Sequence, residues 1–236
     1  MTSAMCGTKT VLLLLSSLLA APALSASEAT VSMLNSVDLL TGDTKLACEA
    51  ILCLSSGVRP GECRPSLNRF FSIKHKKSWK TIRDRKNFLQ LCPKGDGTNA
   101  VVWNDLINVI STSAEQCSAD GLNRYTAATA YDAQGEMSYT RRDNHLPGFC
   151  KAYWGHEWTY FPDTYLPKYV GSPELRGFWV EPDDEKAGQK RIEEWTGEYQ
   201  NYLQRLARYH RCLSSCSGDS SCSCTKPSLA WTDPLY

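Results

Sequence analysis

The sequence predicts a mainly α-helical protein, with a disulfide-stapled helical domain, an aromatic, loop-rich segment and a long C-terminal helix. Three observations carry this prediction. Apolar residues recur at the spacing of amphipathic helices in several stretches of the chain. An even number of cysteines follows an export signal. Prolines and glycines interrupt the stretch that is richest in aromatic residues, which prevents long regular helices there.

The chain begins with the three parts of a secretory signal peptide. Lys9 supplies a positive charge, an apolar run spans residues 11–20, and small residues continue to Ala26. Serines interrupt the run, which is shorter than the roughly 20 residues of a membrane-spanning helix. We therefore expect residues 1–26 to be cleaved, rather than kept as a membrane anchor, and residues 27–39 to form a mobile leader.

Charge and cysteine content indicate an exported, oxidised protein. The formal net charge of +1 gives no overall attraction to nucleic acid or to membranes. Cys6 leaves with the signal, and the even number of cysteines that remains predicts five disulfide bonds in an oxidising compartment. These cysteines are Cys48, Cys53, Cys63, Cys92, Cys117, Cys150, Cys212, Cys216, Cys222 and Cys224.

The helical domain is assigned to residues 40–132. Thr41 or Asp43 is expected to cap its first helix. Cys48 and Cys53 lie on this helix about 140° apart around its axis, too far apart to bond to each other. The helix is therefore expected to be fastened to two different neighbours.

Three more helices are expected in the same domain. The second begins at Pro65, the third spans about residues 78–91 with Trp79 among its apolar residues, and the fourth contains the apolar residues between 102 and 110. Proximity favours certain cysteine pairings, although on the order of 900 are possible. The favoured pairs are Cys53–Cys63 across a turn, Cys48–Cys92 between antiparallel helices, and Cys117–Cys150 across a polar insertion.

Residues 133–181 form the second segment, which starts with an expected loop at 133–148 and continues with aromatic residues interleaved with prolines. Two interpretations stay open. The aromatic residues either fold back as a lid over the helical core or partly form an exposed patch for a partner, with Trp154 and Trp158 as candidate contact residues. The lid is favoured, because large aromatic side chains are usually buried.

The third segment, residues 182–236, is expected to contain a helix from about 182 to 213 and a tail with four cysteines. Two disulfides within the tail are the favoured interpretation. A four-thiolate zinc site is the alternative, which the export signal and the even cysteine count disfavour.

A basic run is the strongest local charge feature. It is interrupted only by Asp84, and it could contact anionic headgroups, cell-wall polymer, DNA or an acidic protein. A solvated helix face is the more common explanation of such a run, and DNA is the least expected partner outside the cytoplasm. The candidate partner-binding residues in this run are Lys74, Lys76, Lys77, Lys80 and Arg83.

Motif tests predict neither a catalytic site nor a cofactor or metal site. The sequence has no nucleophile elbow, no P-loop and no Cys-x-x-Cys pair. His156-Glu157 resembles the start of a zinc-protease helix, but Tyr160 stands where the second histidine ligand would be required. We therefore expect a protein that is not an enzyme.

The N-terminal half carries a pattern of motifs that resembles the TrbM family of plasmid conjugal-transfer proteins. The resemblance covers roughly residues 40–125 and implies a periplasmic protein that supports mating-pair formation by a type IV secretion system. Its implied partners are other envelope proteins of that apparatus, with no nucleic acid and at most peripheral membrane contact. The motifs are Leu40-Thr41-Gly42-Asp43, the helix carrying Cys48 and Cys53, Glu62-Cys63, Phe70-Phe71-x-Ile73 and Phe88-Leu89-x-Leu91-Cys92-Pro93.

The prediction is thus a non-catalytic, periplasmic accessory factor of conjugation. Two alternatives remain. One is an envelope hydrolase acting on peptidoglycan, in which acidic residues such as Glu157 would be required. The other is a secreted, disulfide-rich binder of protein or lipid with no connection to conjugation.

Overall fold

The computed structural model describes residues 40–131, 138–216, 222–229 and 233–235. The expected signal peptide and leader lie outside these residues. From Thr41 onward the described residues form one compact unit. No helix in the described ranges combines the length and the apolar character needed to cross a membrane.

The mainly helical fold class is confirmed. The first four helices occur where the apolar spacing predicted them, and a short fifth helix, which the sequence did not predict, follows them. They are α1 (Gly42–Leu54), α2 (Arg64–Ser72), α3 (Ser78–Leu89), α4 (Ala100–Ser113) and α5 (Ala119–Tyr125).

The caps differ from the expected ones. Thr41 occupies the N-cap position of α1 but makes no side-chain capping bond there. The Asp43 carboxylate instead accepts two hydrogen bonds from Arg69 on α2, at 3.0 and 2.7 Å. The clearest cap belongs to α4, where the side chain of Asn99 accepts hydrogen bonds from the backbone of Val101 and Val102.

The apolar faces of α1 to α5 meet in one core, which includes Ala50 and Leu54 of α1, Phe88 of α3, Ile107 of α4 and Leu122 of α5. Disulfides hold α1 at the edge of this core. Its two cysteines point in different directions, so each bonds to a different neighbouring segment. Cys48 bonds to Cys92 after α3, and Cys53 bonds to Cys63 before α2. Cys117 bonds to Cys150.

Two small antiparallel hairpins lie beyond α5, where loops were expected. The expectation of a loop over residues 133–148 is wrong for residues 138–142, because these pair with the stretch just after α5, from Ala127↔Arg142 to Tyr131↔Ser138. The elements of this part are β1 (Ala127–Tyr131), β2 (Ser138–Arg142), α6 (Gly148–Trp154), β3 (Lys168–Val170) and β4 (Phe178–Val180).

The last element is the long helix α7 (Glu185–Ser215), which buries Ile192, Trp195 and Tyr202. Its first turns approach the second hairpin closely. A Cβ atom at Gly188 would lie 2.8 Å from Cγ1 of Val180, so the absence of a side chain at this position lets the helix and the strand touch.

The C-terminal tail turns back along α7. Disulfides join Cys212 to Cys224 and Cys216 to Cys222. Further along the tail, the guanidinium of Arg205 donates to the carbonyl of Ser228 and that of Arg191 donates to the carbonyl of Leu235. The described parts of the tail therefore run antiparallel to the helix.

The tail ends against the first hairpin. The buried guanidinium of Arg142 donates two hydrogen bonds to the carboxylate of Asp233, at 3.0 and 2.7 Å. This ion pair joins the tail to β2, and its two residues are 91 positions apart in the sequence.

Candidate partner-binding surfaces

The lysines of the basic run do not all have the same surroundings. Lys76 and Lys77, in the loop before α3, and Lys80 and Arg83, in α3, are exposed. Lys74 is also exposed, but its ammonium group lies 3.1 Å from a carboxylate oxygen of Glu115 after α4. The exposed surface formed by Lys76, Lys77, Trp79, Lys80 and Arg83 is called the basic face below.

Arg85, in the same run, points into the protein. Its guanidinium lies over the rings of Phe70 and Phe71, 4.9 and 5.5 Å from their centroids, and 2.7 Å from Glu115. Burial by itself raises the pKa of Glu115, but hydrogen bonds from Lys74 and Arg85 outweigh it and hold the pKa below its usual value. This cation therefore belongs to the core and not to the basic face.

Asp84, the acid within the run, is neutralised by its neighbours. The Arg83 guanidinium and the His75 imidazole each come within 2.8 Å of its carboxylate. A hydrogen bond from Arg83 is the main reason that the pKa of Asp84 lies below its usual value.

Trp79 is a surface residue, although the apolar spacing of the third helix predicts it to be one of the apolar residues of that helix. It lies in the first turn of α3, and 55% of it is exposed. The Lys80 ammonium and the Arg83 guanidinium lie 5.6 and 5.4 Å from the centre of its ring system. This distance permits cation–π attraction, so an exposed aromatic ring stands within the group of cations.

Trp154 and Trp158 lie elsewhere in the fold. Trp154, the last residue of α6, is half-buried and lines a cleft of about 380 Å³. Trp158 is 38% exposed, and its ring lies 6.4 Å from that of His156. None of the lysines of the basic run lines the cleft, so the candidate residues belong to at least two surfaces.

The cleft is formed where the loop after α1 meets the aromatic segment. The backbone of Tyr160 bonds to Ser55 and Gly57, with distances of 2.7 and 3.0 Å. Gly57 also lets the side chain of Tyr165 approach closely, because a Cβ atom at this position would lie 2.5 Å from Cβ of Tyr165. The lining includes Arg59, Tyr153, Trp154, Phe161, Tyr165 and Glu181.

Tyr153 forms the buried floor of this cleft. Its hydroxyl donates to the backbone carbonyl of Leu54 at the end of α1. Burial raises the pKa of Tyr153 well above the usual value, although the nearby positive charge of Arg59 acts in the opposite direction. The hydroxyl therefore keeps its proton at ordinary pH, as its hydrogen bond to Leu54 requires.

The aromatic segment divides between core and surface. Tyr153 and Trp179 are buried against the helical core, as a lid requires, whereas Phe178 is buried in a second, smaller cluster with Ile192 of α7. Tyr160 and Tyr165 are exposed to 69% and 46%. Each of the two interpretations of this segment thus fits a different subset of its residues.

The terminal cysteines form a compact sulfur cluster. The four sulfur atoms of Cys212, Cys216, Cys222 and Cys224 all lie within 4.8 Å of one another. They are joined as two disulfides. A thiolate is the form of cysteine that binds metal, so the bonded sulfurs are not metal ligands in this state.

His156 has a structural environment. Its Nδ1 accepts a hydrogen bond of 3.1 Å from the backbone N–H of Trp158, and its Nε2 lies 3.6 Å from the carboxylate of Asp105. Glu157 is exposed beside it. The histidine therefore holds the turn that follows α6.

Comparison with known proteins gives one family. A model of the TrbM family matches residues 39–193. No curated protein and no solved structure matches the chain. The family match extends beyond the motifs between residues 40 and 125, through the aromatic segment and into α7, whereas the cysteine-rich tail lies outside it. Because the match covers more than half of the chain, this protein belongs to the TrbM family of plasmid conjugal transfer proteins.

Proposed function

We propose that this protein is a periplasmic accessory factor for mating-pair formation by a conjugative type IV secretion system. It acts by binding other envelope components of the apparatus and catalyses no reaction. The observation that carries the proposal is the TrbM family membership of a chain with five disulfide bonds. Disulfides of this number form and persist in oxidising compartments.

A binding role is supported by the two candidate surfaces, the basic face and the cleft beside Trp154. The cleft beside Trp154 presents aromatic rings together with Arg59 and Glu181, which is the mixture of apolar and polar groups found at protein interfaces. The residues that could have formed a zinc site make structural contacts. His156 holds a turn, and the terminal cysteines bond to one another.

Deletion of the gene from a conjugative plasmid tests the proposal. Donors that carry the deletion are expected to lose plasmid transfer and pilus production, and a copy supplied in trans is expected to restore both. Undiminished transfer by the deletion strain would refute the functional assignment.

A zymogram of the purified protein on peptidoglycan tests the proposed absence of catalysis. No clearing is expected. Clearing that disappears in a Glu157→Gln variant would show that the protein is a hydrolase and would refute the proposal.

A further inference from the structure

The small net charge of this protein conceals a strong charge asymmetry. Residues 64–94 contain ten lysines and arginines and a single acid, Asp84, which gives this segment a formal charge of +9. The whole chain has a charge of +1, so the other residues together carry −8. The protein therefore has one strongly positive region, despite its near-neutral total.

Part of this positive charge is compensated inside the fold. Arg69 pairs with Asp43, both Lys74 and Arg85 pair with Glu115, and Arg83 pairs with Asp84. Lys76, Lys77 and Lys80 form no ion pair with any acidic side chain in the described parts of the chain, and all three are exposed. Three of the six cations that lack an ion pair in these parts of the chain thus lie together on the basic face, and the other three are Arg64, Lys86 and Lys94.

The same face carries an exposed aromatic ring. Trp79 and Arg83 stand one helical turn apart, and Lys80 follows Trp79 directly. A tryptophan this exposed leaves a large apolar surface in water, whereas an aqueous interface with lipid headgroups accommodates both its ring and its polar N–H group. Lysines beside it add electrostatic attraction to anionic lipids.

We propose that the basic face docks this protein on a bilayer containing anionic phospholipid. Trp79 enters the headgroup layer, and Lys76, Lys77 and Lys80 face the lipid phosphates. The unpaired cations of the basic face are lysines, which are point charges on flexible stems, and clustered basic residues are attracted to the negative surface of anionic lipid. This inference rests on the proposed function only in placing the protein beside a membrane.

Vesicle sedimentation tests the docking with exported protein whose signal peptide has been removed. Binding is expected with vesicles of phosphatidylcholine that contain phosphatidylglycerol, and not with phosphatidylcholine alone. It should weaken as the salt concentration rises, because salt screens the attraction. Binding that is equal for both vesicle types, or no binding to either, would overturn the proposal.

A charge-matched pair of variants locates the surface. In the first, Lys76→Gln, Lys77→Gln and Lys80→Gln are combined; in the second, Lys151→Gln, Lys186→Gln and Lys190→Gln remove the same charge from exposed positions elsewhere. Each basic residue near an anionic surface contributes about a fivefold gain in affinity, so the first variant should bind roughly a hundredfold more weakly. The second should bind like the unaltered protein, and equal losses in both would contradict the assignment.

Tryptophan emission tests the depth of docking. Anionic vesicles are expected to shift the emission of the unaltered protein to shorter wavelength, and Trp79→Phe should abolish this shift while leaving sedimentation largely intact. A shift that persists in Trp79→Phe would exclude Trp79 from the contact. The binding of the basic face to duplex DNA and to polyglutamate is compared with its binding to vesicles at equal salt. Stronger binding to either polymer would contradict lipid as the partner.

These results separate the docking from the proposed function. Loss of transfer on gene deletion, together with no vesicle binding, would remove only the docking surface. Vesicle binding that depends on the basic face, in a protein whose deletion leaves transfer intact, would remove only the proposed role in conjugation.

Discussion

The side chain of Asn123 exchanges two hydrogen bonds with the backbone of Trp179. Its Nδ2 donates to the Trp179 carbonyl, its Oδ1 accepts from the Trp179 N–H, and both distances are 2.8 Å in a buried setting. The amide therefore imitates a neighbouring strand along β4. Beside it, the carboxylate of Glu181 accepts a hydrogen bond of 2.8 Å from the backbone N–H of Ala119. These contacts join α5 to the aromatic segment.

Asn123→Ala should destabilise the protein by about 2–4 kcal/mol, because it leaves two buried backbone groups of Trp179 without partners. Urea unfolding at neutral pH measures this loss. Asn87→Ala, at an exposed position of α3, serves as the control and should change stability by less than about 0.5 kcal/mol. Equal effects of the two substitutions would show that the Asn123 bonds do not stabilise the fold.

Glu115→Gln should reduce stability at pH 7 by about 2–3 kcal/mol, because it leaves the buried Arg85 cation without a carboxylate. Lys74→Gln, which removes the exposed partner of the same carboxylate, should cost less than about 1 kcal/mol. A result in which Lys74→Gln is the more harmful substitution would contradict this assignment of roles.

The same ion pair predicts a dependence on pH. The pKa of Glu115 is lower in the folded protein than its ordinary value of 4.5. Its contribution to stability is therefore fully present above the ordinary pKa and is lost as the pH falls through the lower, folded pKa. The stability difference between the unaltered protein and Glu115→Gln should shrink in urea titrations near pH 3, and a difference that grows with acidification would have the wrong sign.

Alanine substitutions at two glycines of α7 should change the stability of the protein in opposite directions. Gly197→Ala should stabilise the protein by about 1 kcal/mol, since nothing lies within 4 Å of the added Cβ and alanine favours the helix. Gly188→Ala should destabilise it by about 1–2 kcal/mol, because the Cβ would press on Val180 and Val170. Thermal unfolding of both variants checks this, and two changes of the same sign would rule out the close contact at Gly188.

The two disulfides of α1 should contribute different amounts to the free energy of unfolding. Replacing Cys48 and Cys92 together by alanine should cost about 4 kcal/mol, and replacing Cys53 and Cys63 about 3 kcal/mol, because the first bond spans 44 residues and the second 10. A Cys48→Ala single variant should expose a thiol at Cys92 to alkylation, as mass spectrometry would report. Alkylation of another cysteine instead would contradict the pairing.

How far the sequence predicted this fold depends on how local each signal is. The helices α1 to α4 and α7 were predicted because their apolar spacing repeats over several turns within one stretch. The helices α5 and α6 have seven residues each, too few for a repeating pattern. The hairpins depend on pairing with strands elsewhere in the chain, so single stretches such as residues 138–142 resembled loops.

The candidate surfaces, too, could be predicted only as far as local sequence patterns allow. Composition alone identified the basic run, but it could not show that Arg85 turns inward to Glu115 while Trp79 turns outward. Both depend on which face of α3 meets the core. Likewise, a glycine within a helix is usually destabilising, and only the position of Val180 shows why Gly188 is needed in α7.

The transfer frequency of donor cells that carry the gene deletion tests the central claim most directly, when the cells are complemented in two ways. One copy encodes the whole chain, and the other lacks residues 2–26 and remains in the cytoplasm. The proposal predicts that the exported copy restores plasmid transfer and that the cytoplasmic copy does not, at equal protein levels. Full transfer with the cytoplasmic copy, or undiminished transfer with neither copy, would contradict a periplasmic role in conjugation.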